Sequence, residues 1–380
     1  MKAADAIVIG AGIVGAACAE ALAEAGLVVR VLDRGYPGCG TTAAGMGHIL
    51  VLDDSEAQLA LTKLSRELWN ARSTEWPDSV EWLPCGAIWV AADSDEMAMV
   101  HHKAAWFTER GVRAEILDAV QLQEAEPNLA RGLAGGLYLP EDSVVYQPAA
   151  TEHLLARARE HGASVESRAP VRAVGDGFVV MVDGARLEAE VIIIAAGLAT
   201  PGLLDPPLPQ LRVRPKKGHL AITARVPGFV RHQLIELGYL KSAHGQMQSS
   251  VAFNVQPRAT GQVLVGSSRQ IDNINPAVEM DMIARIITRA ATFLPGIGTL
   301  PVIRTWAGLR PSTDHNLPVI GPLPGRPRLF VATGHEGVGI TTSLGTGRLI
   351  TDLALGRTPP IDPEPFVPTS LVAIGKNANG

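Results

Sequence analysis

The stretch AIVIGAGIVGAACAEALAEAGLVVRVLDRG, residues 6–35, constrains the fold more than any other part of the chain. Ala6 to Ile9 is an unbroken apolar run of strand length, and the alanine-rich segment from Ile13 to Ala25 reads as a helix closed by Gly26. Leu27 to Leu32 reads as a second strand that closes on Asp33. Between the first run and the helix, Gly10, Gly12 and Gly15 stand at G-x-G-x-x-G spacing. Glycine turns are common; the flanking strand, helix and terminal acid make this one a dinucleotide-binding βαβ unit. Gly10 permits the tight turn, Gly12 lets a pyrophosphate reach backbone amides, and Gly15 lets helix and strand approach closely. Ala11, Ile13 and Val14 complete that cradle. A side chain at Gly12 is expected to fill the pyrophosphate's space and strain the backbone. Asp33, with Arg34 beside it, is placed to accept hydrogen bonds from an adenosine ribose.

The 380 residues suffice for two domains, and 47% apolar with 19% charged residues excludes a wholly disordered chain. Lys and Arg number 33 against 38 Asp and Glu, a net charge of −5 without any basic block, which argues against nucleic acid as a partner. Cys18, Cys39 and Cys85 form no CxxC, so neither a disulfide framework nor a metal site is indicated. A reducing, cytoplasmic location fits. The apolar stretch from Ala6 to Ala19 is a poor signal peptide, with Asp5 before it and glycines spaced through it, and is too short for a bilayer. No later segment reaches about 20 apolar residues, so no transmembrane segment is expected.

Farther along, Ser55 opens a helix with Leu61, Leu64, Leu68 and Ala71 on one face, followed by a mixed region with a GAIWVA strand and a loop-rich EAEPNLARG. The α/β pattern returns near Tyr146, with Pro148 at a first helical position and a helix ending at Gly162. Strands follow near Val171, over Phe178 to Val182, and in VIIIAAG, which turns on Gly197. A proline cluster from Pro201 to Pro215 marks a domain crossing. HLAIT, VAFNV and QVLVGSS then read as antiparallel strands backed by a helix carrying Ile283, Ile286, Ile287 and Ala290. From RTWAGLRPSTDHNLPVIG the chain is expected to re-enter the first domain, with a strand at Leu329 to Ala332, TGHEGVGITT, and a helix to Leu355. The expected fold is α/β with two domains. A discontinuous Rossmann-like cofactor domain takes residues 1–80, 145–212 and 300–365. A mainly antiparallel-sheet substrate domain, 81–144 and 213–299, is inserted, and 366–380 form a tail.

A nicotinamide domain usually completes its sheet in one N-terminal stretch; here the sheet is rebuilt from three pieces, with a second glycine-rich turn near the C-terminus. DRG, GCGTTAAGMGHI, VIIIAAG, WAGLRPSTDHNLPVIG and VATGHEGVGITTSLGTG occur in that order. Jointly, over nearly the full chain, they resemble the D-amino-acid oxidase superfamily of FAD enzymes, in particular the glycine oxidase and sarcosine oxidase branch. Within it, GTTAAGMGHILVLDDSEAQLALT with GHEGVGITT is similar to bacterial D-hydroxyproline dehydrogenase subunits. The resemblance implies FAD. It would be non-covalent, because some relatives attach flavin through a cysteine near the C-terminal turn and no cysteine follows Cys85. Thr41, Thr42, Ala43, Ala44, Gly45 and Met46 would run past the pyrophosphate and ring. Val171 would hold the adenine edge through its backbone, although a buried strand valine is equally expected. Gly334, His335, Glu336, Gly337, Val338, Gly339, Ile340 and Thr341 would bring a positive helix end to the ring. His48 reads as a packed or hydrogen-bonded histidine near the cofactor, and Cys39 as a quiet thiol.

By the same resemblance Arg310, in WAGLRP, holds the substrate carboxylate, for which a guanidinium offers two parallel donors. Taken alone, an arginine before proline is more often a surface or ion-paired residue. Glycine oxidase carries a further arginine near the position of Gly337, which this chain lacks, leaving the second side of the pocket open. Tyr239, Asn254 and Arg269 fall on the substrate domain, where surface or core roles are the commoner outcome. RPKKGH, Arg214 to His219, reads as a solvated loop.

The implied activity is oxidation of the carbon–nitrogen bond of a small amino acid or cyclic imino acid, D-proline- or D-hydroxyproline-like. The hydride passes to flavin N5 and an imine results, with no dedicated base required. Sarcosine oxidase relatives place a lysine by the flavin for oxygen reactivity, whereas LVGSSRQIDN offers none. That favours a dehydrogenase passing electrons to another acceptor, and the resemblance to D-hydroxyproline dehydrogenase implies an electron-accepting partner subunit. Two alternatives stay open: an FAD dehydrogenase of 2-hydroxy acids or glycerol phosphate, and an electron-relay or scaffold flavoprotein subunit.

Overall fold

The computed structural model describes residues 4–238 and 249–368. Its first sheet has six strands in the order Val319–Leu323, Arg326–Thr333, Val191–Ile194, Ala6–Ile9, Val29–Leu32 and Ser164–Glu166. All neighbours are parallel except the antiparallel edge pair Val319–Leu323 with Arg326–Thr333. The central strands AIVI and VIII are buried along their whole length, as strands covered on both faces must be. Three stretches far apart in sequence thus build one sheet, as expected.

The Ile13–Glu24 helix packs on this sheet beside helices Gln147–Glu160 and Ser343–Ala354. Its alanines make that possible: a Cβ added at Gly347 would stand 2.5 Å from the Ala17 carbonyl, so the two backbones nearly touch. The Glu56–Ala71 helix begins at Ser55, whose hydroxyl accepts from Gln58 N at 3.1 Å. Its buried face differs from the expected leucine stripe. Leu61 is buried, but beside it lie Thr62, Ser65, Arg66 and Trp69, while Leu64 and Leu68 are only half-buried and Ala71 is exposed. Polar partners explain this: Ser65 Oγ accepts from Gly345 N, and Arg66 is paired with Asp142 at 2.9 Å.

The second sheet has eight strands, ordered Val302–Ser312, Arg214–Thr223, Val263–Ile271, Ser249–Pro257, Gln233–Glu236, Ala87–Ala91, Gly135–Leu139 and Glu115–Asp118. It is antiparallel except where Gln233–Glu236 runs parallel to Ala87–Ala91. Helix Met280–Phe293 covers one face through Met282, Ile286, Ala290 and Phe293.

Two expectations are corrected here. Val302–Ser312 does not join the first sheet with the rest of residues 300–365: it pairs along its length with Arg214–Thr223 and forms the edge of the second sheet. RPKKGH is no solvated loop: it is the first half of that partner strand, and Lys217 is fully buried with Nζ 2.6 Å from Glu279. Among the described residues no helix is long and apolar enough to cross a membrane.

Candidate active site

A cavity of about 700 Å³, within the usual range for cofactor and ligand sites, lies between the two sheets. Its first wall is the glycine turn. Gly10 adopts φ +102°, and a Cβ there would stand 2.5 Å from Ala195 O. A Cβ at Gly15 would stand 1.9 Å from Gly10 O, so the helix can seat on the turn only without a side chain. Gly12 is different. Its φ of −71° and ψ of 175° are open to any residue, and its Cβ would meet only Thr42 Oγ1 at 3.2 Å, so the expected backbone strain is absent. Gly12 offers the helix no capping side chain, and Thr42 Oγ1 accepts from Ile13 N at 3.0 Å. The helix N-terminus, a natural anion site, therefore faces the cavity through Gly12, Ile13 and Val14.

Asp33 organises this wall. Its carboxylate accepts from Ala11 N and from Gly35 N, each at 2.7 Å, and its carbonyl accepts from Ala169 N, which brings Pro170 and Val171 alongside. Carboxylate oxygens accept more than one bond, so a ribose hydroxyl can still be received.

The loop from Thr41 to Met46 bridges the two sheets. Thr41 Oγ1 donates to Leu309 O at 2.8 Å, Trp306 Nε1 to Ala44 O at 3.3 Å, and Gln256 Nε2 to Met46 O at 2.6 Å. Small residues are required: a Cβ at Gly308 would stand 2.5 Å from Ala44 Cβ, and one at Gly45 would stand 2.7 Å from Ile340 Cδ1.

Strand alternation places the charged groups. Arg310 is opposite Lys216 and Gly308 is opposite Gly218 in register, so these four share the cavity face. Gly218 leaves room for Arg310, whose guanidinium occupies the place of a side chain there. Arg310 Nη1 donates to Ser268 O at 3.0 Å. Arg269, two residues before the partner of Lys216 on the neighbouring strand, joins the same face. Glu336 enters from the Gly334–Gly339 turn and meets Arg269 Nη2 at 2.9 Å and Lys216 Nζ at 3.8 Å. Burial opposes its ionisation, yet Arg269, Lys216 and Arg310 together hold its carboxyl below the ordinary range. Burial, with a smaller push from Arg310, lowers His48 to about 3, so its ring is neutral. Its Nε2 lies 3.4 Å from Asn254 Nδ2.

Most residues singled out from sequence line this cavity: Gly10, Gly12, Ile13, Val14, Asp33, Arg34, Thr41, Thr42, Ala44, Gly45, Met46, Val171, Gly197, His335 to Ile340, and Arg310. Ala11, Gly15, Gly334 and Thr341 stand behind the wall instead. Thr341 is buried, its hydroxyl donating to His48 O and its carbonyl accepting from Trp69 Nε1. Asn254 and Arg269 do line the cavity, while Tyr239 lies outside the described residues. Lys216 was missed, because alternation along RPKKGH turns one lysine to the cavity and the next to Glu279. Lys216 thus brings a lysine to the cavity face of Arg310 although LVGSSRQIDN offers none.

A family model described as FAD dependent oxidoreductase matches residues 5–353. The chain belongs to the DAO family of FAD-dependent oxidoreductases. It is 26% identical over 374 residues to glycine oxidase from Pseudomonas aeruginosa, covering 95% of this chain and 98% of that one. The crystal structure of glycine oxidase from Geobacillus kaustophilus superposes with a TM-score of 0.85 at 25% identity, over 97% of this chain and 98% of that one. Hydrogen cyanide synthase subunit HcnC from Pseudomonas aeruginosa is 25% identical over 410 residues, covering 96% of this chain and 95% of that one. The residues present fit FAD: a side-chain-free turn, an open helix N-terminus beside it, an acid tied to that turn, and a strip of small residues leading to the cationic cluster.

Proposed function

We propose that this protein oxidises the carbon–nitrogen bond of a small amino acid or cyclic imino acid bearing one carboxylate, a D-proline- or D-hydroxyproline-like compound, with FAD held non-covalently. The observation that carries the reading is Arg310: a fixed guanidinium on the cavity face, its Nη1 tied to Ser268 O at 3.0 Å and its planar group laid over Gly218. A planar fork held in this way orients a carboxylate as well as attracting it. When bound, FAD supplies the two-electron acceptor. The protein's own residues bind and orient: Arg310 takes the carboxylate, and neutral His48 with Asn254 offers uncharged polar atoms to the amine or a ring substituent. The relatives named as glycine oxidases support a small amino acid as substrate, and the relative named as a synthase subunit supports a partner chain.

The test is anaerobic flavin bleaching by D-proline, cis-4-hydroxy-D-proline, glycine, sarcosine and D-lactate. Bleaching by an amino or imino acid is expected. Bleaching by D-lactate alone would assign the hydroxy-acid chemistry, and bleaching by none would leave an electron-relay subunit. Reoxidation of the bleached protein by air or by an artificial acceptor then identifies the electron acceptor class.

A further inference from the structure

Glu336 places a carboxylate where a ligand's anion would be expected. Lys216, Arg269 and Arg310 project from three neighbouring strands onto one cavity face, and two of them, Arg269 and Lys216, converge on Glu336 at 2.9 and 3.8 Å. The residue adopts φ +47°, a left-handed conformation uncommon outside glycine. Such backbone persists where its surroundings over-determine it. Here the two cations, on strands outside the turn, hold the carboxylate in place. The fold has thus supplied, from within, the partner that a second anionic group on a substrate would otherwise be.

We propose that Glu336 is a specificity residue: by filling the Lys216–Arg269 anion position with its own carboxylate, it restricts the cavity to substrates carrying a single carboxylate. The proposal rests on the assignment of the substrate carboxylate to Arg310. A second substrate carboxylate approaching Lys216 and Arg269 meets a like charge already seated there, and repulsion in a partly desolvated site rejects it. Removing the Glu336 charge leaves two half-buried cations without its carboxylate, an arrangement that favours uptake of an external anion. The position then becomes a second carboxylate subsite.

The experiment uses holoenzyme and reads flavin absorbance during titration with two unreactive planar probes, pyrrole-2-carboxylate and pyrrole-2,5-dicarboxylate. The wild type is expected to bind the monocarboxylate at least tenfold more tightly. Glu336→Gln is expected to lower that preference at least tenfold, through tighter dicarboxylate binding. Glu336→Gly is the second variant: glycine suits the left-handed backbone, so the turn keeps its shape if glutamine does not fold there. A preference lowered less than tenfold in the folded variants, or a wild type without the preference, overturns the proposal. Arg310→Lys separates the two assignments. If it leaves monocarboxylate binding intact while the Glu336 variants gain the dicarboxylate, the Arg310 reading fails and Glu336 keeps its role.

Discussion

Gly12 and Gly15 sit three residues apart in one motif, yet the structure gives them separable jobs. A Cβ at Gly12 meets nothing closer than Thr42 Oγ1 at 3.2 Å, and the backbone there is relaxed. The cost of Gly12→Val to the protein itself is a poorer helix cap, on the order of 1 kcal/mol, plus a small shift of Thr42. A Cβ at Gly15 stands 1.9 Å from Gly10 O and 3.3 Å from Ala195 Cβ, so Gly15→Ala must push the helix off the turn by about an ångström or more. Such overpacking costs roughly 1–3 kcal/mol. Cofactor binding adds stability by linkage, about 2.7 kcal/mol at a hundredfold excess over Kd. The assay is urea unfolding with and without saturating FAD. Gly12→Val is expected to unfold near the wild-type apoprotein midpoint and to gain nothing from FAD, whereas Gly15→Ala is destabilised even without it. If Gly12→Val folds and retains stoichiometric FAD, the glycine turn is not the pyrophosphate cradle.

Two further outcomes are expected. Acid precipitation should release yellow FAD into the supernatant, since the chain has no cysteine after Cys85; flavin retained in the pellet would contradict non-covalent binding. His335 is buried, bonded to Thr346 Oγ1 at 3.0 Å, and lowered by burial to about 3, so the unfolded chain alone takes up its proton below about pH 6.5. Its share of stability is complete above that pH and falls as pH drops toward 3, amounting to about 2 kcal/mol by pH 5. His335→Gln should shrink the loss of urea stability between pH 7 and pH 5; an equal loss in both proteins would refute the assignment.

The glycine turn and its tie to Asp33 are legible in sequence because their determinants are local: Gly10, Gly12, Gly15 and Asp33 fall within one βαβ unit. The three-piece sheet could also be read, from apolar runs such as AIVI and VIII. What escaped depends on pairing between distant strands. Nothing local tells that Val302–Ser312 lies against Arg214–Thr223, and only that pairing puts Lys216 beside Arg310. Lys217 could not be recognised as buried until Glu279 was seen beneath it. In sequence Glu336 belongs to a glycine-rich turn, and its contacts with Arg269 and Lys216 come from strands far away in the chain. On the Glu56–Ala71 helix the leucine stripe misled because Arg66 and Ser65 find polar partners inside.

Rapid-mixing anaerobic reduction of wild type and Arg310→Lys, with the amino or imino acid that bleaches the flavin best, tests the central claim most directly. Lysine keeps the charge but loses the planar fork, so transition-state binding should weaken by roughly 1.5–3 kcal/mol, the scale of a hydrogen bond to a charged group. The account predicts a lower limiting reduction rate together with weaker substrate binding, a nearly unchanged flavin spectrum and full FAD content. Wild-type rate and affinity in Arg310→Lys would contradict it and move the carboxylate site elsewhere in the cavity.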